Sequence, residues 1–293
     1  MPWTCRRREV APRLGEIGDR QTRIAITKGE NHNIKSGDHA HVGHRGQTVR
    51  ERYDDIGRGY ARLRSPDRRI YGQIRRSLSE STSVLNLGAG TGSYEPKDIP
   101  TVAIEPSIEM IKQRSNRANA IQARAEALPV RDKSFDDSLA ILTIHHWSNV
   151  RKGLTEAARS ARRKVTILTW DPEFQGFWLT REYFPELLEI DRTVFPSISE
   201  ISKILGSIEV QVVPVPADCT DGFTGAYWRR PHAYLNEEIR AGMSSFARIE
   251  NVEDRVEQLK SDLNSCRWHR THQNLLAATA TDLGYRLVSA TMH

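Results

Sequence analysis

The chain has 293 residues, 38% of them hydrophobic, with a net charge of +6 and an isoelectric point near 9.3. This length suits one large domain or a domain carrying a cap, and it can bury a sizeable core. No run of about 18 apolar residues is present, which excludes a membrane-spanning helix; three widely spaced cysteines, Cys5, Cys219 and Cys266, exclude a C-x-x-C pair and a disulfide framework.

Residues 1–48 are polar and lack apolar periodicity, so a flexible basic arm is expected there. They hold nine basic and five acidic residues, a net +4, which leaves only +2 for the rest of the chain. A body so nearly balanced disfavours a nucleic-acid partner. The basic start, Met1 to Arg8, is followed by no apolar stretch, so no secretory signal is read and the cytoplasm is the expected compartment. His32, His39, His41 and His44 have no cysteines and no ligand spacing, and no metal site is expected.

Order is expected from residue 49 onward. Tyr53 to Tyr60 and Ile70 to Leu78 read as helices, interrupted at Ser65-Pro66. A short apolar run, Ser83 to Leu87, enters the turn Gly88-Ala89-Gly90-Thr91-Gly92. Thr101 to Ile104 forms a second strand ending at Glu105, and Ser107 caps a helix reaching Arg114. Strands follow at residues 120–123, 138–144 and 164–169, with a helix over 149–162. Alternation at this spacing predicts βαβ units and a parallel sheet that binds ligands beyond the carboxyl ends of its strands. Beyond Trp170 the pattern becomes aromatic and irregular. A helix is expected at Ser199 to Leu205, strands at Glu209 to Val213 and Tyr285 to Val288, and helices between His232 and Ala280. Residues 49–170 thus form a cofactor-binding core. Residues 171–293 supply cap insertions and the strands that complete the sheet.

Glycines in the first turn let backbone approach a ligand with no Cβ in the way. Glu105 stands at a strand end, where an acid can bind ribose hydroxyls. A dinucleotide site would add a third glycine opening a long helix toward a pyrophosphate. Ser93 occupies that place, and Pro96 and Pro100 leave room for about one turn of helix. S-adenosylmethionine has no phosphate and fits this arrangement better than NAD.

The elements Leu85-Asn86-Leu87-Gly88-Ala89-Gly90-Thr91-Gly92, Ile104-Glu105-Pro106-Ser107, Ala125-Glu126-Ala127-Leu128-Pro129 and Ser134-Phe135-Asp136 resemble the class I S-adenosylmethionine-dependent methyltransferases. More narrowly, they are similar to the methyltransferase type 11 group, which includes the ubiquinone and menaquinone biosynthesis C-methyltransferases. The likeness covers residues 50–170 well and the remainder loosely. The resemblance implies an α/β, Rossmann-like, doubly wound sheet of seven strands, mostly parallel, whose last strand is reversed. It implies that Gly88, Ala89 and Gly90, with Asn86, Gly92 and Pro106 in the same elements, lie at the cofactor, and that Glu105 holds the ribose. Ala125 and Glu126 would flank adenine, Leu142 and Thr143 would sit under the cofactor, and Tyr53 and Arg64 would close over it.

Methyl transfer needs a nucleophile held about 3 Å from the sulfonium methyl carbon, and a base if that nucleophile carries a proton. His145 and His146 follow the fourth strand at the ligand edge and are the candidate bases. Trp147, Trp170, Phe177, Trp178, Tyr227 and Trp228 are the expected wall of a substrate chamber, with Arg229 as its cationic end. Such a chamber suits a flat, partly apolar small molecule bearing an acidic group. Two alternatives stand beside a small-molecule methyltransferase: an RNA or protein methyltransferase using the basic arm, and a protein that binds adenosylmethionine without turnover.

Overall fold

A computed structural model describes residues 64–249 and 251–292. The arm expected at 1–48, the helix read at Tyr53 to Tyr60 and the candidate Tyr53 lie outside the described residues.

Helix α1 spans Arg68–Ser77, directly after Pro66, with the Asp67 side chain accepting from the Arg69 amide at its N-terminus. Ile70, Ile74 and Leu78 recur every fourth residue and are buried. Strands β1 (Val84–Leu87) and β2 (Thr101–Ile104) follow, with no helix between them. Ser107 caps α2 (Ile108–Lys112) by accepting from the Met110 amide. Next come β3 (Ala120–Ile121), β4 (Phe135–Ile141), α3 (Val150–Ser160, capped by Asn149) and β5 (Ala161–Trp170). The fourth strand ends earlier than expected because Leu142 takes a positive φ of 48°, which turns the chain out of the sheet.

Beyond β5 lie α4 (Pro185–Val194), α5 (Ile198–Leu205, closed by a Ser197–Glu200 capping box), β6 (Ile208–Val212) and the short β7 (Val215–Pro216). Helices α6 (Glu237–Ala241), α7 (Glu253–Asn264), α8 (Arg267–Thr271) and α9 (Gln273–Ala277) lead to β8 (Ala280–Thr281) and β9 (Tyr285–Thr291). The main sheet has seven strands in the order β3-β2-β1-β4-β5-β9-β6. β9 runs antiparallel to both neighbours, and the other paired neighbours are parallel. The expected Rossmann-like sheet with a reversed last strand is therefore present. Strand order reverses between β1 and β4, and the crevice at such a switch point is where open α/β sheets hold ligands.

Alternation along the strands feeds two cores. Leu85, Leu87, Ala140, Ile167 and Val288 face one side, with α3 and α5 residues Leu154 and Ile201. Val84, Leu139, Leu168 and Leu287 face the other, under α1 and the aromatic cap. Trp178 is the hub of that cap, in edge contact with Trp268 at 5.1 Å and Tyr234 at 5.7 Å between ring centroids. Among the described residues no helix is long and apolar enough to cross a membrane.

Candidate functional site

The turn after β1 needs its glycines for different reasons. Gly88 and Gly90 both adopt positive φ, 61° and 52°. A Cβ on Gly88 would overlap the Thr143 hydroxyl, so the two chain segments approach as closely as atoms allow. A Cβ on Gly90 would meet no atom within 4 Å, because that residue faces the open space of a cavity beside the turn. The Gly90 amide donates to Glu105 Oε2 at 2.7 Å and the Ser107 amide to Oε1 at 2.9 Å. Burial pushes the Glu105 carboxyl up, against these amides and Arg114. A carboxylate offers about four lone-pair positions, so two remain for hydroxyl donors from the cavity.

Arg114 supports the turn from behind. It donates to the Gly90 carbonyl at 3.0 Å and grips Glu95 with both oxygens within 2.7 Å. Asn86 Nδ2 donates to the same Glu95, while its buried Oδ1 has no hydrogen-bond partner among the described residues. Gly92 does not line the cavity, contrary to expectation. It packs on the clamp instead, where an added Cβ would sit 3.1 Å from Glu95 Oε2.

The far end of the cavity is formed by Pro106, Met110, Ala125, Glu126 and Trp147. Burial works to raise the Glu126 carboxyl, but hydrogen bonds from the Ser148 hydroxyl (2.8 Å) and the Asn149 amide (3.2 Å) hold it below its ordinary range. Trp147, expected against substrate, lies in this cavity and packs tightly on Gly153 of α3. A ribose acceptor, close backbone without Cβ atoms and an apolar slot beside a tryptophan match the needs of an adenosine-bearing sulfonium.

Arg64, Leu142 and His146 line this cavity and also a second one. Arg64 is fixed there by Asp221, with Nε to Oδ1 at 2.6 Å and Nη2 to Oδ2 at 3.2 Å. Asp221 also accepts from the Tyr94 hydroxyl at 2.9 Å. The second cavity is walled by Trp170, Phe177, Phe195, Phe223 and Tyr285. His145 stands in its wall, stacked on Phe195 with ring centroids 4.0 Å apart. Burial pushes the His145 imidazole well below its ordinary range, so the ring is neutral, and its Nδ1 has no hydrogen-bond partner among the described residues. His146 is the histidine at the junction of the cavities.

Four residues expected in the chamber are elsewhere. Trp178 and Trp228 are fully buried in the cap core, where the Trp178 indole donates to the Trp228 carbonyl at 2.9 Å. Arg229 donates to the Ala278 carbonyl at 3.0 Å, tying the cap to the segment before β8. Tyr227 stacks under the Arg230 guanidinium at 4.7 Å. A cap of mostly short helices must build its own interior, and these large side chains are that interior. Sequence reading missed Asp191, Phe195, Phe223 and Tyr285 in the second cavity, and Ser93, Tyr94 and Arg124 in the first. The signal for Asp191 is its place between Leu187 and Phe195 at four-residue spacing, one acid in an apolar helix stripe.

Comparison with known proteins agrees with this geometry. The Methyltransferase domain family matches residues 85–169. A crystal structure described as a putative methyltransferase from an antibiotic biosynthesis pathway of Anabaena variabilis is 34% identical, covering 78% of this chain and 99% of its own, with a TM-score of 0.72. An uncharacterised protein of Methanocaldococcus jannaschii is 30% identical over 119 residues, 38% of this chain and 46% of that protein. The uncharacterised methyltransferase YcgJ of Bacillus subtilis is 31% identical over 100 residues, 30% of this chain and 40% of that protein. The matched region thus spans less than half the length of these two curated relatives. With a glycine turn, a buried acid at the end of the second strand, the reversed last strand and a full-length relative in agreement, the chain belongs to the class I S-adenosylmethionine-dependent methyltransferases.

Proposed function

We propose that the protein transfers a methyl group from S-adenosylmethionine to a small-molecule acceptor held in the aromatic cavity. The observation that carries this reading is the junction: Arg64, Leu142 and His146 belong to the walls of both cavities. A donor in the first cavity and an acceptor in the second would meet there, shielded from water by the cap. The walled, aromatic form of the second cavity suits a small acceptor; a folded RNA or a protein surface would need a broad open face.

When bound, the cofactor supplies an electrophilic methyl group on a sulfonium. The residues of this chain do the rest. The Gly88–Gly90 backbone and Leu142 would hold the methionine end, Glu105 the ribose, and Ala125, Glu126 and Trp147 the adenine. An imidazole nitrogen of His146 takes the acceptor's proton where the nucleophile carries one. His145, buried and neutral, orients that edge of the chamber and does not act as the base.

The test is incubation of the purified protein with methyl-labelled adenosylmethionine and separate pools of small metabolites, RNA and protein. Label transferred to a small molecule supports the reading. Label found only in RNA or protein, or no binding of the cofactor, overturns it.

A further inference from the structure

Among the described residues the wall of the aromatic cavity includes one carboxyl group, Asp191, which the methyl transfer proposed above does not use. Asp191 lies on the buried face of α4 with Leu187, and Phe195 follows it one turn later. Its Oδ1 accepts from the Ser245 hydroxyl at 2.5 Å. Oδ2 takes no hydrogen bond among the described residues, and the side chain opens on the cavity. A buried carboxyl with an unused oxygen is expensive unless something completes its hydrogen bonding. His145 Nδ1, fully buried in the same wall, is a second polar atom without a partner. Asp191, His145 and Phe195 all belong to the wall of this cavity, and of their polar atoms it is the second Asp191 oxygen that is left for a ligand.

The charged and titratable groups around Asp191 indicate which edge. Arg248, from the turn Phe246–Arg248, acts on Asp191 electrostatically, and Tyr285 of β9 senses the same carboxyl. Arg64 brings a further positive charge to the cavity, paired with Asp221. The cavity walls around Asp191 are otherwise mostly aromatic and apolar, so a second cation would lose its hydration there at high cost, whereas a neutral O–H or N–H gains a charge-assisted hydrogen bond at a smaller one.

We infer that Asp191 is the acceptor-selecting residue of the chamber, and that the acceptor is a flat, largely apolar molecule presenting a neutral hydroxyl or N–H donor to Asp191 Oδ2 while its nucleophile lies at the His146 junction. This rests on the methyltransferase reading. It replaces the acidic group that Arg229 was expected to clamp with a hydrogen-bond donor. Asp191 binds and orients, and no bond to it forms or breaks.

The test uses the full-length protein loaded with S-adenosylhomocysteine and three probes: 2-naphthol, 2-methoxynaphthalene and 2-naphthylmethylammonium. Binding is read by ligand-observed NMR at pH 7.5, where the naphthol is neutral. Wild-type protein should bind naphthol at least fivefold more tightly than the methoxy compound and more tightly than the ammonium. Asp191→Asn, which keeps an oxygen for Ser245 but turns an amide donor toward the cavity, should abolish or invert the naphthol-over-methoxy preference. Its S-adenosylhomocysteine affinity should stay at wild-type level and its thermal unfolding should remain cooperative, at a temperature no lower than that of the wild type, which shows that the variant is folded. Equal preference in Asp191→Asn and wild type, or tightest binding of the ammonium, would overturn the inference. Failure of wild-type protein to bind S-adenosylhomocysteine would instead bring down the methyltransferase reading, and this inference with it.

Discussion

The ring of Phe195 lies 4.0 Å from that of His145 at an interplanar angle of 21°. This stack joins the end of α4 to the turn after β4, and so joins the cap to the sheet at the edge of the second cavity. It also seals His145 from water, which is why burial holds that imidazole well below its ordinary range. Phe195→Ala should let water reach the ring, and His145 should then titrate nearer the usual histidine range. NMR of the histidine ring protons from pH 5 to 8 would read this; a His145 that still fails to titrate in the variant would show that other groups exclude water. Stability should fall by about 1–3 kcal/mol, less than for a fully buried phenylalanine.

Glu105 is the test of the cofactor site. Its carboxylate is held by the Gly90 and Ser107 amides and retains positions for two further donors. Hydrogen bonds to a charged group contribute about 1.5–3 kcal/mol each. Glu105→Ala should weaken S-adenosylhomocysteine at least tenfold in calorimetry, and Glu105→Gln should weaken it less. NAD should bind neither protein. Because burial raises the Glu105 carboxyl, wild-type affinity should fall as pH drops through the carboxylate range, and the Gln variant should lack that dependence.

Much of this site was legible in the sequence because its parts are local. Gly88, Gly90 and Glu105 sit at strand ends, and a strand followed by glycines is a short-range signal. The first cavity also needs Tyr94 and Arg124, which no spacing distinguishes from ordinary loop residues; they reach the site through the path of the chain. The second cavity was harder still. Trp178 and Trp228 looked like chamber walls because aromatic clustering in sequence does not reveal which face turns inward. Phe223 and Tyr285, 62 positions apart in the sequence, pack with ring centroids 4.7 Å apart. Such a pair is set by tertiary folding alone.

Trp178 should therefore behave as a core residue. Trp178→Ala should cost about 3–5 kcal/mol of stability, read by urea denaturation. At a temperature where the variant remains folded, S-adenosylhomocysteine affinity should be near wild type. A stable Trp178→Ala protein that binds the naphthol probe poorly would return this residue to the chamber.

Asp191 should be a place where the fold gives up stability. Burial pushes its carboxyl up to about 6, partly offset by Ser245 and Arg248. An acid raised in the folded state is best tolerated when protonated, so its destabilising effect is absent below the ordinary carboxylate range and complete once pH has risen past about 6. Asp191→Asn should accordingly be more stable than wild type at pH 7.5, by roughly 1–3 kcal/mol, with the difference shrinking toward pH 4. Urea midpoints across that range would check it. A variant less stable than wild type at pH 7.5 would mean that Arg248 compensates the charge fully.

The last prediction concerns Arg64 and Asp221, which join the segment before α1 to the cap at the boundary of both cavities. Their side chains are 11% and 1% exposed, so the pair is screened little by solvent. The remaining hydrogen bonds to Asp221 come from the Tyr94 hydroxyl at 2.9 Å and its neighbour's amide, Gly222 N, at 2.7 Å. Removing Arg64 leaves a buried carboxylate facing only neutral donors, and breaking such a pair costs about 3–5 kcal/mol. Removing both charges leaves nothing uncompensated. Arg64→Met should therefore be strongly destabilised, while Arg64→Met combined with Asp221→Asn should recover much of the loss, because the amide oxygen can keep the Gly222 N–H bond while its NH2 donates to the Tyr94 hydroxyl oxygen. S-adenosylhomocysteine affinity separates the structural role from a binding role. If the double variant regains stability but still binds weakly, Arg64 contacts the cofactor as the sequence resemblance implies; if both return together, Arg64 serves to hold the wall of the cavity in place.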